Sequence, residues 1–354
     1  MEKNSGNKVI FFGCPLDCDE KPDSIQEKLT RGWIPGKGKD PFEMVMKFIR
    51  NEVPRELWDE QGSLDVPGWL LPKPPSDELW RITVGKFVAF TDQDGCRTIA
   101  SEVENFVKEN ILPHIPCMIA VDHSLTGGVF RSLADHYGKE NISLVILDSH
   151  TDAIPMSVSA QAIQYDIDNN PNSVYDKNDP FFYDRTDSYN ASSFVHYLLA
   201  EQAVKPKNLY LIGVSDYPEK RTLRTEDPRI ARYVSVYTGM KRSGVKILTK
   251  KDCLLSSSKI KNMLEQLSTP YVYISVDMDI GSGNAVEGVR FRDWQGLNAN
   301  QIYRIADALA EILSKRVKLA GMDITEINPR RAGRSQDKTY QIAANLIRKI
   351  AFET

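Results

Sequence analysis

A chain of 354 residues exceeds the usual size of one domain but suits a single large α/β domain, and its 41% hydrophobic content can fill a substantial core. A formal net charge of −3 leaves no basic excess to neutralise phosphates, which excludes general binding to nucleic acid or to a membrane surface. Five scattered cysteines, Cys14, Cys18, Cys96, Cys117 and Cys253, are poor material for a disulfide framework and point to a reducing compartment.

Taken in chain order, the N-terminal residues 1–6 are polar, and the apolar run 9–12 is too short for a secretory signal. No run approaches the length of a membrane span, so a soluble, cytoplasmic protein is expected. Cys14 and Cys18, four apart with no histidine or second cysteine pair nearby, read as buried thiols rather than a zinc site. A helical pattern follows at 40–51. Residues 52–92 then break the rhythm with Trp58, Trp69, Trp80 and a proline-rich run at 66–75, which predicts a packed loop without regular helix. The pattern resumes with a helix at 96–109, a strand at 117–121 and a strand at 144–147. Residues 155–190 form a long polar excursion rich in Asp, Asn, Ser and Tyr. Beyond it come a helix at 192–203, a strand at 209–214, a helix at 256–267 and a strand at 271–276. A helix at 300–314, a strand at 317–322 and a helix at 338–352 complete the series. Short continuous apolar runs suit strands buried on both faces, and their alternation with helices predicts an α/β sandwich with a mainly parallel sheet. Ligands gather at the carboxyl ends of such strands.

The acidic residues fall at those ends. The run 144–147 leads directly into Asp148, His150 and Asp152, alternate positions that face one way on an extended backbone. The run 271–276 ends in Asp277 and Asp279 with the same spacing, and the run 117–121 is followed by Asp122-His123. Carboxylate oxygen and imidazole nitrogen together suit a divalent first-row metal. Two histidines and four aspartates exceed what one cation needs, whereas two cations sharing carboxylates would use them all.

These segments resemble the signatures of the arginase/agmatinase ureohydrolases, GGDHS, DAHxD and SxDxDxxDP, in the same order. They stand here as Ala120-Val121-Asp122-His123-Ser124, Asp148-Ser149-His150-Thr151-Asp152 and Ser275-Val276-Asp277-Met278-Asp279. Three further segments are similar to that family: Lys39-Asp40-Pro41-Phe42 at an early helix start, Gly296-Leu297-Asn298, and Asp323-Ile324-Thr325-Glu326-Ile327-Asn328-Pro329. The resemblance implies a three-layer α/β/α sandwich forming one catalytic domain over residues 1–354, with insertions at about 52–92 and 155–188. It also implies a homo-oligomer, trimeric or hexameric, and two Mn²⁺ ions. His123, Asp148, Asp152 and Asp277 would hold one metal; Asp148, His150, Asp277 and Asp279 would hold the other. Asp152 would also accept a hydrogen bond from the nucleophile, and Glu326 would take a charge-assisted bond from a substrate guanidinium.

The chain also departs from the family pattern. Ser282-Gly283 stands where the third Asp-Pro would be, and the GGDHS glycines are replaced by Ala120-Val121, with Gly127-Gly128 following. Asn190 aligns with the family's proton-shuttling histidine and cannot titrate. His196, six residues on, is the candidate replacement for proton transfer, while His114 and His136 read as structural or solvated. The acids of the excursion (Asp166, Asp168, Asp176, Asp179, Asp184 and Asp187), with the tryptophan-bearing stretch as a wall, suggest arginine within a peptide, converted to ornithine. Free arginine, agmatine or another amidino compound are the other substrates. A catalytically silent metal-binding homologue and a metallohydrolase of another bond are the competing classes.

Overall fold

The computed structural model describes residues 7–31, 40–179, 182–183, 185–292, 295–334 and 336–353. Residues 1–6, Lys39 of the early helix-start segment and Asp184 of the excursion lie outside that set. Among the described residues there are eight strands: β1 (Val9–Cys14), β2 (Trp58–Ser63), β3 (Ile115–Ala120), β4 (Ile142–Leu147), β5 (Leu209–Val214), β6 (Lys246–Thr249), β7 (Tyr271–Asp277) and β8 (Lys318–Thr325). They form one sheet in the order β2-β1-β3-β8-β7-β4-β5-β6, and every pairing is parallel.

Helices cover both faces, as a parallel sheet requires. The first six are α1 (Pro22–Arg31), α2 (Pro41–Glu52), α3 (Val84–Asp92), α4 (Gly95–Asn110), α5 (Thr126–Tyr137) and α6 (Met156–Asn169). The others are α7 (Phe194–Ala200), α8 (Pro228–Ser243), α9 (Lys250–Leu255), α10 (Ser257–Leu264), α11 (Ala299–Lys315) and α12 (Thr339–Ala351). Alternate residues of each strand divide the core. Val9 and Phe11 join α2 and α9 to α12 on one side, while Ile10 and Phe12 join α1 and α3 to α8 on the other. The three-layer α/β/α sandwich expected from the sequence is therefore present. Local chemistry starts its helices: Asp40 caps α2 by accepting from Phe42 N, and Asn298 forms a reciprocal capping box with Gln301 at α11. Gly128 lets α5 approach α4, because a Cβ there would lie 2.0 Å from the carbonyl oxygen of Ala100.

Two readings of the sequence are corrected. Residues 52–92 contain both a strand and a helix. β2 is a polar edge strand with little apolar content, and α3 begins after the prolines with Thr83 as its cap. The prolines themselves exclude α-helix as expected, allowing only a 3₁₀ turn at Gly68–Leu70. The excursion is likewise not all loop, since α6 occupies its first half. Helices α5 and α8 were also unassigned; paired glycines and weak amphipathicity hid them. No helix among the described residues is long and apolar enough to cross a membrane.

Register brings the site together. Leu147 of β4 pairs with Val276 of β7, Val276 with Ile324 of β8, and Ile324 with Ile119 of β3. The four central strands thus end level, and the residues just beyond that line share one crevice.

Candidate active site

Asp148 is the first residue past β4 and Asp277 the last of β7. Each turns one carboxylate oxygen back on its own chain: Asp148 Oδ1 accepts from His150 N at 2.7 Å, and Asp277 Oδ1 accepts from Asp279 N at 2.7 Å. This leaves Oδ2 of both facing His123. The His123 Nδ1 atom lies 2.8 Å from Asp152 Oδ2, 3.1 Å from Asp277 Oδ2 and 3.3 Å from Asp148 Oδ2. A second convergence follows, with His150 Nδ1 at 3.0 Å from Asp279 Oδ2 and 3.5 Å from Asp148 Oδ1. Donor atoms within 4.8 Å of one another define two groups: His123, Asp148, Asp152 and Asp277, and Asp148, His150 and Asp279. Asp148 belongs to both. Asp277 joins only the first, so its bridging role rests on the family resemblance alone.

These atoms converge on points in space more than on each other. His123 Nδ1 and Asp148 Oδ2 are fully buried yet have no hydrogen-bond partner among the described residues. The charges tell the same story. Burial, reinforced by Asp279 and Asp148, holds Asp277 well above the usual carboxylate range, and burial with Asp148 pushes Asp152 up to about 7. Against its own burial, His123 is raised by the three carboxylates around it, and Asp148 is lowered by the two imidazoles. Four buried carboxylates cannot all ionise cheaply without added positive charge, and divalent cations provide it. The residues present therefore fit a pair of hard-to-borderline cations.

The far side of His123 is anchored. Its Nε2 lies 2.9 Å from Ser275 Oγ, and the Ser275 hydroxyl donates to Asp323 Oδ1 at 2.7 Å. Thr126 and Tyr273 donate to Asp323 Oδ2 at 2.7 and 2.5 Å. This chain keeps the proton on Nε2 and the lone pair on Nδ1. Asp323 went without a role in the sequence reading, although a charged residue inside an apolar strand was the signal.

Glu326, just past β8, is buried and sits at φ +61°; Asp152 sits at φ +47°. Non-glycine residues in this left-handed region are strained, and such strain collects at functional sites. Glu326 Oε1 accepts from His123 N at 3.1 Å and from Arg290 Nη1 at 3.2 Å, and the residue lines the cavity. Arg290 Nη1 also donates to Asp122 Oδ2 at 2.8 Å. Burial pushes Glu326 up to about 8 although Arg290 pulls the other way. Sequence reasoning missed Arg290, which lies on the irregular segment between β7 and α11 where no periodicity marks it.

A cavity of about 250 Å³ opens above these groups. His123, His150, Asp152, Asp277, Asp279, Asn190 and Glu326 line it, and exposed Lys21, Ser192 and Phe291 mark its mouth. The Asn190 side chain is engaged locally, accepting from Ser192 N and Oγ and donating to Ser188. His196 is not brought to the cavity. It lies half-buried on α7 with its ring against Tyr197. The tryptophan wall is also absent, since Thr91 is the one residue of 52–92 that lines the cavity. Nor do the described excursion acids line it: Asp168 pairs with Arg229, Asp187 accepts from Ser157, and Asp166 from Asn170 and Ser173.

Comparison with known proteins adds to this geometry. A family model described as the Arginase family matches residues 62–353. Comparison with curated protein sequences gives no match. Among solved structures, formimidoylglutamase from Bacillus subtilis subsp. subtilis str. 168 is similar at TM-score 0.60 and 16% identity, over 99% of this chain and 88% of that one. Arginase from Bacillus caldovelox is similar at TM-score 0.58 and 18% identity, over 98% of this chain and 99% of that one. Proclavaminate amidino hydrolase from Streptomyces clavuligerus is similar at TM-score 0.58 and 17% identity, over 98% and 92%. At these identities the likenesses show the fold.

Proposed function

The chain belongs to the arginase family, whose members are binuclear metal-dependent amidino hydrolases, and on that premise we propose that it hydrolyses the guanidinium group of arginine, releasing urea and leaving ornithine. His123, Asp148, Asp152 and Asp277 are the proposed ligands of one Mn²⁺, and Asp148, His150, Asp277 and Asp279 those of the other. When bound, such a pair of cations acidifies a water molecule and so supplies a nucleophile near neutral pH. The chain's own groups do the rest. Asp152 accepts a hydrogen bond from that water. Glu326 Oε2 accepts an N–H of the substrate, fixing the amidino carbon beside the ligand cluster. The family's homo-oligomeric assembly is part of the same proposal.

One observation carries this reading: a buried carboxylate, Glu326, faces the cavity next to the two donor groups. A second reading has its own support. Arg290 already takes Oε1 of Glu326, which leaves one oxygen and suits a smaller amidine, such as a formimidoyl group, as well as a guanidinium. The described excursion acids that suggested a peptide substrate stand outside the cavity lining, so a peptide is a matter for the assay.

That assay measures product release with added Mn²⁺ from arginine, agmatine, an arginine-containing peptide and an N-formimidoyl amino acid. Urea from arginine is the expected result; turnover of the formimidoyl compound alone would favour the second reading. Metal uptake without turnover of any of them would mark a silent homologue. Glu326→Gln is expected to lower kcat/KM by roughly 10²–10³-fold with metal content unchanged. Unchanged activity would instead favour hydrolysis of a different bond. Ser275→Ala is expected to weaken Mn²⁺ binding by about 10–100-fold, because it frees the His123 ring. Equal affinity in a metal titration would remove the positioning role of the Ser275–Asp323 chain.

A further inference from the structure

The cavity wall holds a third cluster of metal-ligating side chains that neither the resemblance nor the proposed chemistry uses. Cys18, on the loop before α1, and Cys96, in the first turn of α4, bring their sulfurs to 3.5 Å. Cys18 Sγ lies 3.2 Å from Asp122 Oδ2, and the three donor atoms fall within 4.8 Å of one another. All three residues are buried in the protein and line the cavity. We propose that Cys18, Cys96 and Asp122 form a binding site for a thiophilic divalent cation of the zinc class, beside and separate from the two-metal cluster.

The spacing supports it. In a tetrahedral zinc site with sulfur at about 2.3 Å and oxygen at about 2.0 Å, two sulfurs stand about 3.8 Å apart and sulfur and oxygen about 3.5 Å apart. The observed edges of 3.5 and 3.2 Å need only a few tenths of an ångström of expansion. The charge balance supports it too. Two thiolates and one carboxylate carry three negative charges, which a divalent cation and the adjoining Arg290 guanidinium neutralise. Arg290 is positioned for this, since its Nη1 donates to Asp122 Oδ2 at 2.8 Å. Asp122 is held by its other oxygen, Oδ1, which accepts from Ser124 N at 3.0 Å, so Oδ2 can turn to a metal without losing the cap on His123–Leu125. The fourth position of the tetrahedron opens to the cavity, as in zinc sites that bind water or a ligand. Binding replaces two S–H bonds with two metal–sulfur bonds and releases two protons to solvent. Oxygen-loving Mn²⁺ has no preference for such a site, whereas zinc and cobalt have.

The test uses the full chain loaded with Mn²⁺ and titrated with Co²⁺. Thiolate-bound Co²⁺ gives a sulfur-to-metal charge-transfer band in the near ultraviolet, which the oxygen and nitrogen ligands of the other cluster cannot produce. The band is expected in the wild type and in Cys253→Ser. It is expected to lose at least half its intensity in Cys18→Ser and in Cys96→Ser, each of which removes one of the two thiolates, with Co²⁺ binding at this site weakened on the order of 100-fold. No band in the wild type at saturating Co²⁺ would overturn the proposal. So would a band of undiminished intensity in either single variant. The wild-type spectrum decides the matter even where a variant folds poorly, and it is independent of which substrate the enzyme turns over.

Discussion

Asp148→Asn is expected to abolish turnover and to reduce bound metal from two ions to one or fewer. Asp148 is the one residue common to both donor groups, lying 3.3 Å from His123 Nδ1 through Oδ2 and 3.5 Å from His150 Nδ1 through Oδ1. Asparagine keeps its shape and can still accept the bond from His150 N, so the turn that places His150 survives. The change removes one negative charge and one ligand oxygen. Cations in such sites contribute several kcal/mol of transition-state stabilisation, and each 1.36 kcal/mol is tenfold in rate, so kcat/KM should fall by roughly 10³-fold or more. Thermal stability without metal should be close to wild type, while the rise in Tm on adding Mn²⁺ should shrink or vanish. A variant that still binds two ions and turns over within tenfold of wild type would exclude the proposed ligand assignment.

Arg290→Ala is expected to produce the largest loss of stability of any single change at the site. The guanidinium, with 8% of its side chain exposed, pairs with Asp122 and Glu326, themselves 1% and 8% exposed. Removing one partner of a buried ion pair costs about 3–5 kcal/mol, because the other charge stays behind uncompensated. Here two carboxylates are left, against a total stability on the order of 5–15 kcal/mol for a folded chain. The denaturation midpoint should therefore drop sharply. Arg290→Lys should recover part of the loss but not all, since an ammonium is a more strongly hydrated point charge than the guanidinium whose Nη1 reaches Asp122, Glu326 and the Val121 carbonyl. Added methylguanidinium should restore stability to Arg290→Ala by refilling the gap. A loss below about 1 kcal/mol, in the range of surface ion pairs, would show that Asp122 and Glu326 find other partners.

The contrast between Asp148 and Arg290 shows what the sequence could reveal. Asp148 and Asp277 end apolar runs that must be buried strands, so the residue next along had to lie at a strand end. The parallel register then aligned the ends without further information. His123, His150, Asp152 and Asp279 follow from the same logic. Arg290 lies 36 residues from Glu326 and 168 from Asp122, on a stretch without periodicity, and no local pattern announces such a contact. Cys18 and Cys96, 78 residues apart, meet only because the loop before α1 folds over the start of α4. In sequence the nearest thiol to Cys18 is Cys14, but its partner in space is Cys96. His196 failed in the opposite direction. Its nearness to Asn190 in sequence suggested a shared site, but one turn of α7 carries it away from the cavity. The polar strand β2 and the helix α6 were hidden for a related reason: tertiary packing, not local apolar rhythm, holds them.

The level ends of β3, β8, β7 and β4 have a consequence for how the protein behaves when it is not fully folded. These are the four inner strands of the sheet, with β1 and β2 on one flank and β5 and β6 on the other. Fluctuations that peel a sheet begin at its edges, and the innermost hydrogen bonds open only as the whole structure does. The rim strands can fray and re-pair while the candidate ligands of the two-metal cluster stay in register. Amide exchange at Asp277, whose strand lies between β8 and β4, should accordingly report the global opening of the molecule. A chelator that works only through that opening would extract metal at the rate of unfolding.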